Sequence, residues 1–286
     1  MVAGTATGCG QKNHNSLQGI AALGDAVDVY VFCDSTHQAE PDFLRHLVGP
    51  MARGEASFST GYHMVEPRDD QPATLAYTLC VMLMRYLQAM SAFTQLWGGA
   101  MAMTRAAYVK YGVGQLWVEN VVDDCSLSAL LQVRGAEVRL CHGALLHTDA
   151  VNHSVSVWRS WMDRQVLFLK FCMPAQWKLL GLMCVMMVVP MLCAVLAILG
   201  WVVNVGGGAG VLLAIFWLAA LISALHAWRC LLSKPVPLWR WFRAFVDAVR
   251  MFASVYRHSL NAWTIVWHGV RYEVGKGGVV LRSERV

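Results

Sequence analysis

Residues 29–36 read VYVFCDST, a run of β-branched and aromatic residues that stops on an aspartate. Val29, Tyr30, Val31 and Phe32 suit a strand covered on both faces, because such side chains pack well on a pleated surface. In open α/β sheets the carboxyl ends of strands feed loops that splay apart into a ligand crevice. Asp34 therefore reads either as a turn or helix-capping acid or as a site acid.

Outward from that strand, Gly8 to Asn15 is a glycine- and amide-rich loop. It leads into SLQGIAALG (16–24), which suits a short helix capped by Asn15 or Ser16. AEPDFLRHLVGPM (39–51) predicts a helix with Pro41 in its first turn, and Glu55 to Tyr62 predicts a further strand. This alternation of strands and helices predicts a parallel or mixed sheet, hence an α/β domain. The long helical stretch 74–95 contains Arg85 and flanking glutamines, which argue against a full membrane span. It is expected to dip into the interface or to line an acceptor cleft.

LWGGAMAMTRAAYVKYG (96–112) reads as strand, helix and stop. Gly98 and Gly99 would let backbone come close to another group, and Arg105 and Tyr108 read as capping and packing residues of the helix. In VENVVDDCSLSALLQVRGAEVRLC (118–141), Asp123 and Asp124 precede a helix from Cys125 to Val133. That helix ends at Gly135, before a strand at Val138 to Cys141. The two acids read either as a helix N-terminus favoured by the macrodipole or, with Asp34, as carboxylates converging on one crevice. Such carboxylates can hold a divalent cation and deprotonate a hydroxyl, the chemistry of glycosyl transfer from a nucleotide diphosphate. His142 and His147 follow a strand and read as ordinary hydrogen-bonding residues.

The chain has 286 residues, of which 57% are hydrophobic and 14% charged, too apolar for an ordinary soluble domain. The excess lies in the second half. Leu179 to Val203 carries no charge, and a helix of that length extends roughly 37 Å, enough to cross a hydrocarbon core of about 30 Å. A second uncharged run, Val205 to Leu225, follows the turn-like NVGGGAG, so the two predict a transmembrane helical hairpin. Lys170 and Lys178 precede it, and Arg229, Lys234, Arg240 and Arg243 follow it. The bias of cytoplasmic loops towards Lys and Arg then puts both flanks, and the α/β domain, in the cytoplasm. Leu238 to Trp267 is expected to form an interfacial amphipathic helix leading into a short re-entrant or spanning segment near Phe252 to Trp267. Twelve tryptophans fit an interfacial belt. The organisation expected is a transferase-type domain over residues 1–176, the hairpin over 177–230, and an interfacial or third membrane helix with a tail over 231–286.

The net charge of +5 sits mostly beside these membrane segments. It reads as topology and attraction to lipid headgroups rather than nucleic-acid binding. The nine cysteines lack CxxC or Cys/His metal spacing and suit a reducing compartment. The N-terminus has no signal-peptide pattern, and the chain is expected to begin inside its first domain.

CGQKNHNSL (9–17), VFCDST (31–36), WGGAMAMTRAAY (97–108), VENVVDDCSLSALLQVRG (118–135), two membrane spans and WTIVWHGVRYEVGKGG (263–278) follow one another in this order. The pattern resembles the membrane-bound family 2 glycosyltransferases, most closely the ceramide glucosyltransferase group. The resemblance implies a GT-A-like (Rossmann-like) mixed sheet domain, with the family's first strand and first aspartate expected before residue 1. It implies Lys12 and Asn15 as loop residues approaching the nucleotide diphosphate, Asp34 as the acid that helps hold a Mg or Mn cation, and Asp124 as the general base beside Asp123. Gly98 and Gly99 would lie beneath the donor sugar or acceptor, and because some glycosyltransferases of this fold use a histidine as a metal ligand, His142 and His147 would be candidates for that role. The motif (Gln or Arg)-x-x-Arg-Trp is degraded here: either Trp161 to Gln165 or Arg164 to Phe168 aligns. Both alignments leave Arg164 and Gln165 as polar groups near the diphosphate. The implied reaction moves a sugar, with UDP-glucose as donor, to a membrane lipid such as ceramide, with inversion. Alternatives are a hopanoid, sterol or other lipid alcohol as acceptor, or an inactive membrane-associated homologue that binds a sugar nucleotide.

Overall fold

A computed structural model describes residues 2–203, 205 and 207–286. Asn204 and Gly206 of the loop between the two apolar runs lie outside the described residues. The chain opens with α1 (Gln11–Leu23) and then forms β1 (Val29–Cys33), β2 (Gln38–Ala39), α2 (Phe43–Ala52), β3 (Phe58–Pro67) and α3 (Pro72–Ala89). β4 (Ala100–Thr104), the short helices α4 (Arg105–Lys110) and α5 (Val113–Trp117), α6 (Asp124–Val133) and β5 (Arg139–Ala150) complete a mixed α/β architecture.

The five strands form one sheet in the order β1-β4-β3-β5-β2. Only β3 and β5 run parallel; β1 with β4, β3 with β4, and β2 with β5 are antiparallel. β1 is therefore an edge strand. The expectation of a strand covered on both faces fails here, since Tyr30 is its only buried residue. The centre of the sheet is better covered: Met101 and Met103 pack with Phe58, Trp117, Leu127 and Leu131 on one face. Ala100 and Ala102 meet Phe43, Leu47 and Leu146 of the opposite layer. α1 begins at Gln11, five residues before the expected start, so Lys12 and Asn15 belong to a helix rather than a loop. Pro41 precedes α2 instead of standing in its first turn.

Beyond the sheet, α7 (Val155–Cys172) leads to α8 (Pro174–Val202) and α9 (Gly208–Arg229). These two helices are long and apolar enough to cross a membrane, and the rest of the chain leaves them largely uncovered. They pair as the expected hairpin. α10 (Leu238–Ser259) is amphipathic at helical period: Trp241, Ala244, Phe245, Ala248, Val249 and Val255 are buried, while Arg243, Arg250 and Arg257 are exposed. Its apolar stripe packs on the apolar side of α3, where Leu75, Ala76, Leu79 and Cys80 are buried. α3 is thus a covered core helix over its first half.

The re-entrant segment expected near Phe252 to Trp267 does not form. The helix ends at Ser259, and β6 (Thr264–Trp267), β7 (Val270–Val274) and β8 (Val280–Arg285) make a separate antiparallel sheet. His268 and Gly269, with φ of 50° and 73°, form the two-residue turn between β6 and β7. Both φ values are positive, as the favoured hairpin turns require. This sheet returns to the first half of the chain through an isolated bridge between Asn120 and Val279.

Candidate functional site

Four pieces of backbone converge beside the C-terminal end of β1: the first turn of α1, the residue after β1, the Gly98–Gly99 pair before β4, and the loop leading into α6. Their convergence is built from close backbone contacts. The Gly10 amide donates to the Asn120 carbonyl at 2.9 Å, and a Cβ at Gly10 would lie 2.0 Å from the Val121 oxygen. Buried Asn13 donates to the same Asn120 carbonyl at 2.8 Å and to that of Trp117 at 3.3 Å. The loop is held from its other side as well, since Val121 donates to the Gly278 carbonyl at 2.9 Å and Val280 to that of Glu119 at 2.8 Å. At Gly278 (φ 84°) a side chain would strike Asn120 Oδ1 and Cys172 Sγ, each 2.6 Å away.

Fixed in this way, α1 projects Lys12 into a carboxylate cluster. Its Nζ lies 2.9 Å from Asp34 Oδ1 and 3.1 Å from Asp123 Oδ2, and it donates to the Gly98 carbonyl at 2.9 Å. Burial opposes the charge on Lys12, but Asp123, Asp124 and Asp34 outweigh that penalty and raise its pKa, so it is a cation at any working pH. Asp123 is 1% exposed. Its Oδ2 has the ammonium nearby but no donor in hydrogen-bond alignment.

Asp124 is held differently. Oδ2 accepts from the Gly98 amide at 2.7 Å and Oδ1 from its neighbour's amide, Cys125, at 2.6 Å. Burial, then the charge of Asp123, push its carboxyl up to about 6; Lys12 and the two amides pull the other way without prevailing. A carboxyl in that range alternates between proton acceptor and acid near neutral pH. Gly98 has no room for a side chain, because a Cβ would sit 2.6 Å from Lys12 Nζ and 2.9 Å from Asp123 Oδ2. At Gly99 a Cβ would fall 2.2 Å from the Trp97 ring.

Lys12, Asp34, Gly98, Gly99, Asp123 and Asp124 are thus brought together. Asn15 and Arg164 are not. Asn15 is exposed on α1 and accepts from Gln11, and Arg164 donates to Ser160, one turn back on α7. Gln165 lines a cavity of about 210 Å³ together with Asp124, Tyr62 and Trp97. Leu179, Leu180 and Met183 of α8 also line that cavity. A larger cavity, about 810 Å³, lies behind α6 against Gln132, Gly135 and Met173 and is lined by none of Asp34, Asp123 and Asp124. Size therefore does not identify the site; the placement of Asp124 does. Reading the sequence missed His37, His63 and Trp97, which form an aromatic group beside Asp34. The spacing Asp34-x-x-His37 was the one available sign of it.

The divalent cation implied by the resemblance requires oxygen ligands. Asp34 Oδ1 and Asp123 Oδ2 converge on one point, now held by the Lys12 ammonium, and the Asp123 oxygen is buried without an aligned donor. A hard cation could take these two oxygens, with diphosphate and water as its other ligands, only by displacing the Lys12 ammonium from that point. Among the described residues no group of three or more His, Cys, Asp or Glu side chains is arranged to hold a metal. His147 lies 3.3 Å from Glu40, and His142 is exposed.

The model of the family described as Glycosyl transferase family 21 matches residues 1–280. The family number differs from the family 2 grouping read from the motifs. No curated protein matches the chain.

Proposed function

The chain belongs to glycosyl transferase family 21, and from that premise we propose that it moves a sugar from a nucleotide diphosphate to a membrane lipid hydroxyl, with inversion. Glucose as the sugar, UDP as the nucleotide and ceramide as the acceptor are part of this proposal. The observation that carries it is the cavity that joins Asp124 to the start of α8. An acceptor whose tails lie along α8 can present its hydroxyl to the one carboxylate that faces this space.

Asp124 takes the hydroxyl proton as the acceptor oxygen bonds to the anomeric carbon. The bond from that carbon to the diphosphate oxygen breaks, and the nucleotide diphosphate departs with the electron pair. Lys12 supplies a permanent positive charge where negative charge builds on the leaving group. A divalent cation that displaced Lys12 from between Asp34 and Asp123 would supply Lewis-acid neutralisation of the same charge in its place. Gly98 orients Asp124 through its amide and Lys12 through its carbonyl. Gln165, on the wall of the same cavity, offers an amide to the acceptor or donor. In this reading residues 1–176 work at the cytoplasmic face, where the donor is found, and 177–230 anchor them.

The test is transfer of labelled glucose from UDP-glucose by the full chain in lipid nanodiscs containing ceramide, with parallel discs containing a sterol. Labelled glycosylceramide is the expected product. Label on the sterol alone would assign a different acceptor, and label on neither would overturn the reading.

A further inference from the structure

The antiparallel register of β2 with β5 pairs Gln38 with His147, and so brings His37 opposite Thr148 one step further along. The parallel register of β3 with β5 pairs His63 with Leu146, two residues before Thr148 and on the same face of the sheet. The side chains meet as these registers require. His37 Nδ1 lies 2.6 Å from Thr148 Oγ1, and His63 Nδ1 lies 3.1 Å from the same oxygen. The other nitrogen of His37, Nε2, is 3.9 Å from Asp34 Oδ2, on the opposite side of that carboxylate from Lys12.

A hydroxyl carries one proton, so Thr148 donates to one imidazole and accepts from the other. The carboxylate decides which. A bare Nε2 lone pair on His37 would face the Asp34 charge, whereas an Nε2–H faces it favourably. His37 therefore holds its proton on Nε2 and accepts the Thr148 hydroxyl at Nδ1. His63 in turn donates from Nδ1 to Thr148. His63 is neutral, since burial, then His37 and Arg85, push its pKa down to about 3. Its ring stacks on Trp97 at 4.6 Å between centroids, and Trp97 covers Gly99.

We infer that the chain His63, Thr148, His37 is a positioning device for the nucleotide-sugar donor, presenting a fixed N–H beside Asp34 to a donor oxygen. The inference rests on the transferase reading above. The separation of 3.9 Å is too long for a direct hydrogen bond but admits one oxygen within bonding reach of both His37 and Asp34. A sugar hydroxyl of the donor fits that description, accepting from His37 and donating to Asp34, whereas a phosphate oxygen has no proton to offer the carboxylate.

The test uses the full chain in nanodiscs and titrates UDP-glucose binding and turnover for wild type, Thr148→Val and Thr148→Ser. Valine keeps the shape of threonine and removes the hydroxyl. It is expected to weaken donor binding and raise the donor KM roughly tenfold, a typical cost for one hydrogen bond to a charged group, with kcat changed less than threefold. Serine should restore both. Nitrogen NMR of the labelled wild-type protein should find His37 protonated on Nε2 and His63 on Nδ1. The inference is overturned if valine binds donor like wild type, if serine is as damaging as valine, or if the tautomers are reversed. Wild-type protein that binds no nucleotide sugar would instead sink the transferase reading, and the tautomers would still report whether the chain of hydrogen bonds exists.

Discussion

The ammonium of Lys12 stands between two carboxylates, 2.9 Å from Asp34 and 3.1 Å from Asp123, although these residues are separated by 22 and 111 positions in the chain. The buried Asp123 depends on that cation. Lys12→Met should therefore leave a buried charge without its partner and cost on the order of 2 kcal/mol, less than a fully buried pair because Lys12 is partly exposed. A fall of several degrees in Tm, together with loss of UDP-glucose binding, is the expected outcome. A variant with unchanged Tm and affinity would remove Lys12 from the site.

Gly98→Ala probes the same cluster from the backbone side. The new methyl would lie within contact distance of both Lys12 Nζ and Asp123 Oδ2. The lysine tip can move and the buried aspartate cannot, so the substitution should displace Lys12. Donor affinity should drop at least tenfold while the purified protein remains folded by circular dichroism.

Asp124 gives a pH signature with a definite sign. Its carboxyl rises from 3.8 to about 6 on folding, so its contribution to stability is present below 3.8 and lost as pH rises through 6. The shift is worth about 3 kcal/mol. An uncharged amide at this position escapes that loss. The Tm of Asp124→Asn relative to wild type should therefore increase between pH 4 and pH 7; a difference that stays flat, or falls, would contradict the burial argument. Wild-type turnover should likewise rise through pH 6 as the base loses its proton.

Topology can be tested apart from chemistry. Ser233, just beyond α9, donates to Glu66 at the end of β3 at 2.6 Å, and Arg240 pairs with Asp70 at 2.5 Å. These contacts put the sheet on the same side as the basic flanks of the hairpin. In a background without native cysteines, Gly207→Cys should react with an impermeant thiol reagent on intact cells, and Ser233→Cys should react only after permeabilisation. The reverse pattern would invert the orientation.

The elements most legible in the sequence are those specified locally. The helix after Asp124 follows from its acidic start and Gly135 stop, and α8 and α9 follow from long uncharged runs. The amphipathic period of α10 is likewise readable without a structure. What the sequence does not disclose is pairing at a distance. VYVFC reads as a covered strand because its residues are β-formers, yet its position at the edge of the sheet depends on which strands lie beside it. The His268–Gly269 turn is a short hairpin cue, outweighed by the apolar residues around it, so β6 was expected to enter the membrane. The site divides in the same way. Asp34, Asp123 and Asp124 are recognisable from strand and helix ends, whereas the union of His37, Thr148 and His63 requires two strand registers at once. Arg164 and Gln165 are adjacent in sequence but point apart on α7, and only Gln165 reaches the cavity of Asp124.

The central claim is that Asp124 removes the acceptor proton. Its most direct test is single-turnover transfer compared with donor binding for Asp124→Asn and Asp123→Asn. An amide has nearly the shape of the carboxylate but cannot act as the base, and loss of a general base costs about 10²- to 10⁴-fold. Asp124→Asn should lose turnover in that range while binding UDP-glucose within a few-fold of wild type. Substantial turnover by Asp124→Asn, with Asp123→Asn the far more damaged variant, would contradict the assignment and transfer the role to the neighbouring acid.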